Sequence, residues 1–234
     1  MKKLGLIGGT GPESTLIYYK VINQEVNKLT NATSFPEMTI ESVNLYRLLS
    51  LMSERKYDEL EDYLWDKTEN LINSGCQIVA LSCVTGHIIY NRLRDRLKAV
   101  SNVPFVSMPE AVCAKAQTNG YRRALLLGTI FTMKEDFFRK ELENKGIDVV
   151  TPDEETMKTV HTIIANELEL GIVKPESQRK LLGIIDAEKA EKQIDTVILG
   201  CTELPLALDD GNTPVPCLDA MAIHIQRLVA MCME

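Results

Sequence analysis

Several things are missing from this 234-residue chain, and each absence narrows what it can be. No apolar run approaches the ~20 residues that a membrane-spanning helix needs. None of the six cysteines (Cys76, Cys83, Cys113, Cys201, Cys217, Cys232) forms a CxxC pair, so neither a zinc ribbon nor a thioredoxin-type site is indicated. Basic residues are not in excess: 26 Lys and Arg against 33 Asp and Glu leave a net charge of −7, which argues against a dominant nucleic-acid role. Low-complexity stretches and flexible linkers are absent. The apolar stretch at residues 4–9 is too short, and too interrupted by Gly5, Gly8 and Gly9, to read as a secretion signal. That segment reads as a buried first strand, and the chain as cytoplasmic. In a reducing compartment the six cysteines are thiols, and a chain of this length needs no disulfide to hold its core.

What is present is an α/β pattern. Short apolar runs at 4–7, 38–43, 78–81, 104–106, 124–127, 148–150 and 196–199 alternate with helical periodicity at 14–29, 58–74, 134–145, 160–170 and 176–192. Continuous apolar runs, rather than alternating ones, suit parallel strands covered on both faces. The strand–helix alternation predicts parallel sheets flanked by helices.

The chain also resembles itself. Residues 4–10, LGLIGGT, match residues 124–129, ALLLGT: an apolar strand running into Gly-Thr. Residues 78–83, IVALSC, match residues 196–201, TVILGC: an apolar strand, one small residue, then cysteine. Thr10 and Thr129 are 119 positions apart, and Cys83 and Cys201 are 118 apart. Two unrelated coincidences would not share an offset, so the chain reads as two pseudo-symmetric α/β domains. Each supplies one Gly-Thr turn and one Cys turn to an active site expected in the interdomain cleft.

Both cysteines then lie just past the carboxyl end of a strand, where open α/β sheets bind ligands. A helix after each turn would favour the thiolate through its N-terminal amides. Two opposed thiols suit one reaction in particular. Inverting a stereocentre by deprotonation needs a base on one face and an acid on the other, with a planar carbanion between. Thr10, Thr85, Thr129, Thr132 and Thr202, with their turn amides, are candidates to hold a carboxylate as charge spreads into it. His87 either tunes the Cys83 thiol or fills the core, and Glu203 either polarises the Cys201 thiol or caps the next helix. Thr132 either donates to a ligand or caps a helix near 134. His161, His224, Cys76, Cys113, Cys217 and Cys232 read as structural. The glycines of residues 5–11 do not make a dinucleotide fingerprint, because Gly5 lies within the strand and Glu25 within a helical pattern.

The segments LGLIGGTGPEST, SCVTGH, LLLGTIFTM, LGCTELPL and VPCLDAMAIH, in this order and spacing, resemble the aspartate/glutamate racemase family over essentially the whole chain. The resemblance implies a cofactor-independent isomerase, without pyridoxal phosphate or metal, usually a homodimer, acting on a small amino acid such as aspartate or glutamate. It assigns Cys83 and Cys201 as the acid/base pair, Thr85 and Thr202 as substrate ligands, and Gly9, Thr10, Gly128 and Thr129 as cleft lining. The expected division is residues 1–103 plus 208–234, closed by a C-terminal helix, and residues 104–207. Two positions depart from the family pattern. Val84 stands where an asparagine is usual, and Glu169 stands where aspartate-selective members carry a lysine; Arg47 matches their carboxylate-binding arginine. Broad-specificity racemisation, a two-cysteine relative of the hydantoin racemase, maleate isomerase or malonate decarboxylase type, and a non-catalytic amino-acid binder are the alternatives.

Overall fold

A computed structural model describes all 234 residues, Met1–Glu234. The chain divides into two compact units, residues Met1–Ser107 with His224–Glu234, and residues Met108–Ile223. No helix is long and apolar enough to cross a membrane.

The first unit is built on four parallel strands: β1 (Leu4–Gly8), β2 (Met38–Ser42), β3 (Ile78–Leu81) and β4 (Phe105–Val106), in the order β2-β1-β3-β4. The second is built on β5 (Arg123–Gly128), β6 (Asp148–Val150), β7 (Thr196–Gly200) and β8 (Cys217–Asp219), also all parallel, in the order β6-β5-β7-β8. The second order is the first shifted by four strands, so the duplication read from two motifs extends to the whole sheet. The central strands β1, β3, β5 and β7 are buried along almost their entire length. Each fully buried Leu, Ile or Val side chain contributes about 1.5–3 kcal/mol relative to exposure. That burial on both faces is why these runs are continuously apolar.

Helices cover the sheets where periodicity allows. The helix Pro12–Leu29 opens on a proline that needs no N–H bond, carries Glu13 in its first turn and Lys28 in its last, and buries Ser14, Tyr18, Ile22 and Val26. That four-residue spacing is one helical face. The helix expected at 160–170 instead begins at Glu154, where the Asp153 side chain accepts the Thr156 N–H at 2.8 Å. It ends at Asn166, and Leu168–Leu170 forms a separate 3-10 turn closed by Gly171 in the left-handed region. The charged first turn hid the start, and the tight turn moves Glu169 off the helix.

β8 has no apolar-run signature, yet it pairs with β7 through Leu199 and Asp219. Residues 217–223 therefore stay with the second unit, and the chain rejoins the first at His224 rather than at 208. The helix Ala220–Met233 carries that return, and the Cys232 carbonyl accepts the Lys2 N–H at 2.8 Å.

One difference between the repeats is a single residue. In the first unit Ile7 pairs with Leu81, and in the second Leu127 pairs with Leu199. Between these strand positions and the threonine lie Gly8 and Gly9 in one repeat but only Gly128 in the other. The extra residue, Gly9, has φ +79°, and a Cβ there would lie 2.4 Å from Ser42 Oγ and 2.5 Å from the Val43 carbonyl. Gly9→Ala should therefore lower stability more than Gly146→Ala, where φ is the same and a Cβ meets nothing within 4 Å. The left-handed backbone alone costs about 1–2 kcal/mol; overlap at Gly9 should add about 1–3 kcal/mol. Urea unfolding of both variants checks this, and equal losses would contradict the close approach.

Candidate active site

In each sheet the chain leaves the first strand to one side and returns on the other, so β1/β3 and β5/β7 are switch points, the usual ligand crevice of open α/β sheets. The Gly-Thr turn and the Cys turn sit side by side at each of them. In the first unit the Ser82 N–H and hydroxyl both donate to the Ile7 carbonyl, at 3.0 and 3.1 Å, tying the residue before Cys83 to the strand that runs into Gly9-Thr10. In the second, Gly128 pairs with Gly200, one residue before Thr129 and Cys201 respectively. A Cβ on Gly128 would lie 2.7 Å from the Gly200 carbonyl, so both positions need a residue without a side chain.

Within the first unit, Gly9, Thr10, Cys83, Thr85 and His87 are brought together. The Gly9 N–H donates to Thr15 Oγ1 at 2.9 Å, which fixes the turn. Thr10 is buried and its hydroxyl has no hydrogen-bond partner. A buried hydroxyl left unpaired carries a free-energy cost that a bound ligand removes. Cys83 is buried, and the Gly86 N–H points at its sulfur at 3.4 Å, the polarity that a thiolate accepts. The turn continues as a 3-10 helix, Thr85–Ile89, and then as the helix Tyr90–Val100. The His87 Nδ1–H donates to the Cys83 carbonyl at 2.7 Å. Burial holds its imidazole down at about 4, so it is neutral at neutral pH. Val84 is buried, 4% exposed. Arg47 lies on the helix Leu45–Ser53 that follows β2. It is exposed, with its guanidinium 4.3 Å from the Tyr63 ring centroid.

Within the second unit, Gly128, Thr129, Thr132, Cys201, Thr202 and Glu203 are brought together, but not as equals. The Thr129 side chain accepts the Thr132 N–H at 3.3 Å and caps the short helix Ile130–Lys134. Thr132 is fully buried, its hydroxyl 3.2 Å from that of Thr129, so it packs the turn rather than facing outward. After Cys201 there is no α-helix. Pro205 lies in a three-residue 3-10 turn, Leu204–Leu206, and the helix-dipole argument does not apply. The Glu203 side chain caps nothing: it accepts the Cys201 thiol at 3.0 Å and the Thr202 hydroxyl at 2.7 Å. Burial first, and then the Glu203 carboxylate, push the Cys201 thiol well above its ordinary value. Cys201 is therefore protonated, the reverse of what the sequence suggested. Glu169 belongs here too: loss of hydration and the neighbouring Glu203 charge raise its carboxyl above the usual range, and its charge also acts on Cys201.

Sequence reasoning missed one group, Tyr18 and His224. Both are fully buried, and Tyr18 Oη lies 2.8 Å from His224 Nδ1. The two residues are 206 positions apart, and no local pattern announces such a pair.

Glu203→Gln removes the charge that opposes ionisation of Cys201 while keeping an acceptor in place. The pH midpoint for iodoacetamide alkylation of Cys201, followed by peptide mass spectrometry, should move down in this variant. An unchanged midpoint would show that burial alone sets the thiol.

The sequence and the fold both match known proteins. The sequence profile described as Asp/Glu/Hydantoin racemase matches residues 7–228. The broad specificity amino-acid racemase RacX of Bacillus subtilis is 25% identical over 234 residues, covering 97% of this chain and 96% of its own length. Among solved structures, PH1733 of Pyrococcus horikoshii, an aspartate racemase homologue, is 34% identical with a TM-score of 0.86 over 100% of both chains. A Yersinia pestis protein described as a candidate Asp/Glu racemase is 29% identical with a TM-score of 0.90, again over 100% of both. The profile spans nearly the whole length, and the chain is an isomerase belonging to the Asp/Glu/hydantoin racemase family.

Proposed function

We propose that the protein racemises free amino acids with a broad range of side chains, using Cys83 and Cys201 as the acid/base pair on one α-carbon and no cofactor. The observation that carries this reading is the repeated juxtaposition of a Gly-Thr turn and a Cys turn at the switch point of each sheet.

The chemistry follows from the two sulfurs being unlike. For one enantiomer, Cys83 as thiolate takes the α-proton, and the electron pair left on carbon spreads into the substrate carboxylate. The unpaired Thr10 hydroxyl and the turn amides suit that developing charge. Cys201, already protonated and hydrogen-bonded to Glu203, delivers its proton to the other face. Cys83 is then a thiol and Cys201 a thiolate, which is the form that accepts the opposite enantiomer. Glu203 gives Cys201 a route for regaining its proton, since its Oε2 meets both the thiol and the Thr202 hydroxyl.

The side-chain preference is read from charge. Glu203 and Glu169 put two carboxylates near Cys201, which works against a substrate carrying a second carboxylate. Val84 offers an apolar wall rather than an amide. The Bacillus subtilis relative, named for broad specificity, supports the same preference. Aspartate is the second reading, favoured by Arg47, whose guanidinium is held on Tyr63 and free to meet a distal carboxylate. Homodimerisation and a cytoplasmic location belong to the same proposal.

Racemisation should proceed in the presence of EDTA and without added pyridoxal phosphate, and neutral or basic amino acids should react faster than aspartate. Cys83→Ser and Cys201→Ser should each lose racemisation by more than about 10²-fold, the low end for a general acid–base group. Each should keep slow α-deuterium exchange with one enantiomer only, and the two should differ in which. Polarimetry and proton NMR in deuterated water read both effects. A Ser variant that races both enantiomers at the wild-type rate would remove that cysteine from the mechanism.

A further inference from the structure

Inside the first unit, behind the Cys83 turn, lies a line of buried polar rings that the reaction does not touch. It starts at the Cys83 carbonyl, which accepts the His87 Nδ1–H at 2.7 Å. A carbonyl can only accept, so the neutral His87 carries its proton on Nδ1. The His87 ring stacks on Tyr90 at 5.6 Å and meets the His224 ring edge-on at 6.2 Å, with 79° between their planes. Beyond it, His224 Nδ1 lies 2.8 Å from Tyr18 Oη. His224 and Tyr18 are fully buried and His87 is 2% exposed.

These groups come from three distant segments. Tyr18 is on the buried face of Pro12–Leu29, the helix that leaves the Gly9-Thr10 turn. His87 is in the 3-10 helix after Cys83. His224 is on the C-terminal helix, at the residue where the chain rejoins this unit. A core built only for stability would fill this volume with Leu or Phe, because burying imidazole and phenol polar atoms costs free energy that imperfect pairing does not return. Besides Tyr18, the polar neighbour of the His224 ring is the Val106 backbone, and Nε2 makes no hydrogen bond of good geometry. Burial holds His224 down at about 3, so both imidazoles are neutral and neither can act as a buried cation.

We infer that His224 and Tyr18 are positioning residues: Tyr18 holds the His224 ring, His224 meets the His87 ring edge-on, and His87 in turn fixes the Cys83 carbonyl and with it the direction in which the Cys83 sulfur is presented. The inference rests on the assignment of Cys83 to proton transfer. The turn at 83–86 is tied to β1 through Ser82, and the His87 Nδ1–H on the Cys83 carbonyl adds a fixed point on the peptide that carries the sulfur itself. Misplacement of a reacting group by about 1 Å costs up to 10²-fold in rate.

The test uses four single substitutions in the full-length protein. His87→Leu removes the donor; His87→Asn keeps an N–H in nearly the Nδ1 position; His224→Phe and Tyr18→Phe keep ring volume and delete only polar atoms. Two readouts are taken: kcat and KM for racemisation, and the second-order rate and pH midpoint of Cys83 alkylation by iodoacetamide. We expect kcat to fall about tenfold or more in His87→Leu and His224→Phe and several-fold in Tyr18→Phe, with KM within about twofold. His87→Asn should recover most of the loss, and the Cys83 alkylation profile should shift in the same order. The inference is overturned if His224→Phe and Tyr18→Phe retain wild-type kcat and Cys83 alkylation, including the case in which only their melting temperature drops. If His224→Phe does not fold, Tyr18→Phe, which deletes one oxygen, decides alone. Should the wild-type protein racemise no amino acid, the proposed function fails, while the alkylation profiles still judge the positioning.

Discussion

The site depends on one backbone constraint: in each sheet, the strand that ends in Gly-Thr is hydrogen-bonded in parallel register to the strand that ends before cysteine. Ile7 pairs with Leu81, and Gly128 with Gly200. Because parallel strands end on the same side, this register puts a hydroxyl-bearing turn beside a thiol-bearing turn without any long-range search. Gly128 and Gly200 follow from it, since each stands where the backbone of the paired strand comes too close for a Cβ; Gly9 answers instead to Val43, just past β2. The apolar strands follow as well, being covered on both faces. A site built this way sits in short turns tied directly to paired strands, which holds reacting groups in place more closely than long loops would.

Duplication supplied two such pairs, and divergence made them unlike. The first sulfur faces an amide N–H; the second donates to a carboxylate. Two identical thiols would compete for the same protonation state, whereas an acid/base pair works from one thiolate and one thiol. The local sequence explains the split. After Cys83 the chain runs Val-Thr-Gly-His into a 3-10 helix whose Gly86 amide turns back to the sulfur. After Cys201 it runs Thr-Glu-Leu-Pro, which ends in a single tight turn and leaves the Glu203 side chain free to take the thiol.

Much of this was legible in the sequence. The strands at 148–150 and 78–81 coincide with β6 and β3, because apolar β-branched runs between turn residues have few other uses. The repeat offsets located both cysteines and both threonine turns, since strand length and turn chemistry conserve spacing. Three features were not legible. β8 is Cys-Leu-Asp, three residues whose strand character comes from pairing with β7 and not from their own propensity. The Cys201 thiol is raised by burial and then by Glu203 folding back onto the sulfur, a contact that a sequence pattern cannot distinguish from helix capping. His224 joins Tyr18 across 206 positions, and only the folded chain brings them into contact.

The central claim is that two different groups, not one, handle the α-proton. The wild-type protein, given a single enantiomer in deuterated water, should yield product carrying one α-deuterium from the first turnovers, while recovered substrate stays protiated. Chiral chromatography coupled to mass spectrometry separates and weighs the two enantiomers over time. Deuterium entering recovered substrate as fast as product forms, or product that retains the original proton, would mean that one base serves both faces, and the account of Cys83 and Cys201 as an acid/base pair would be wrong.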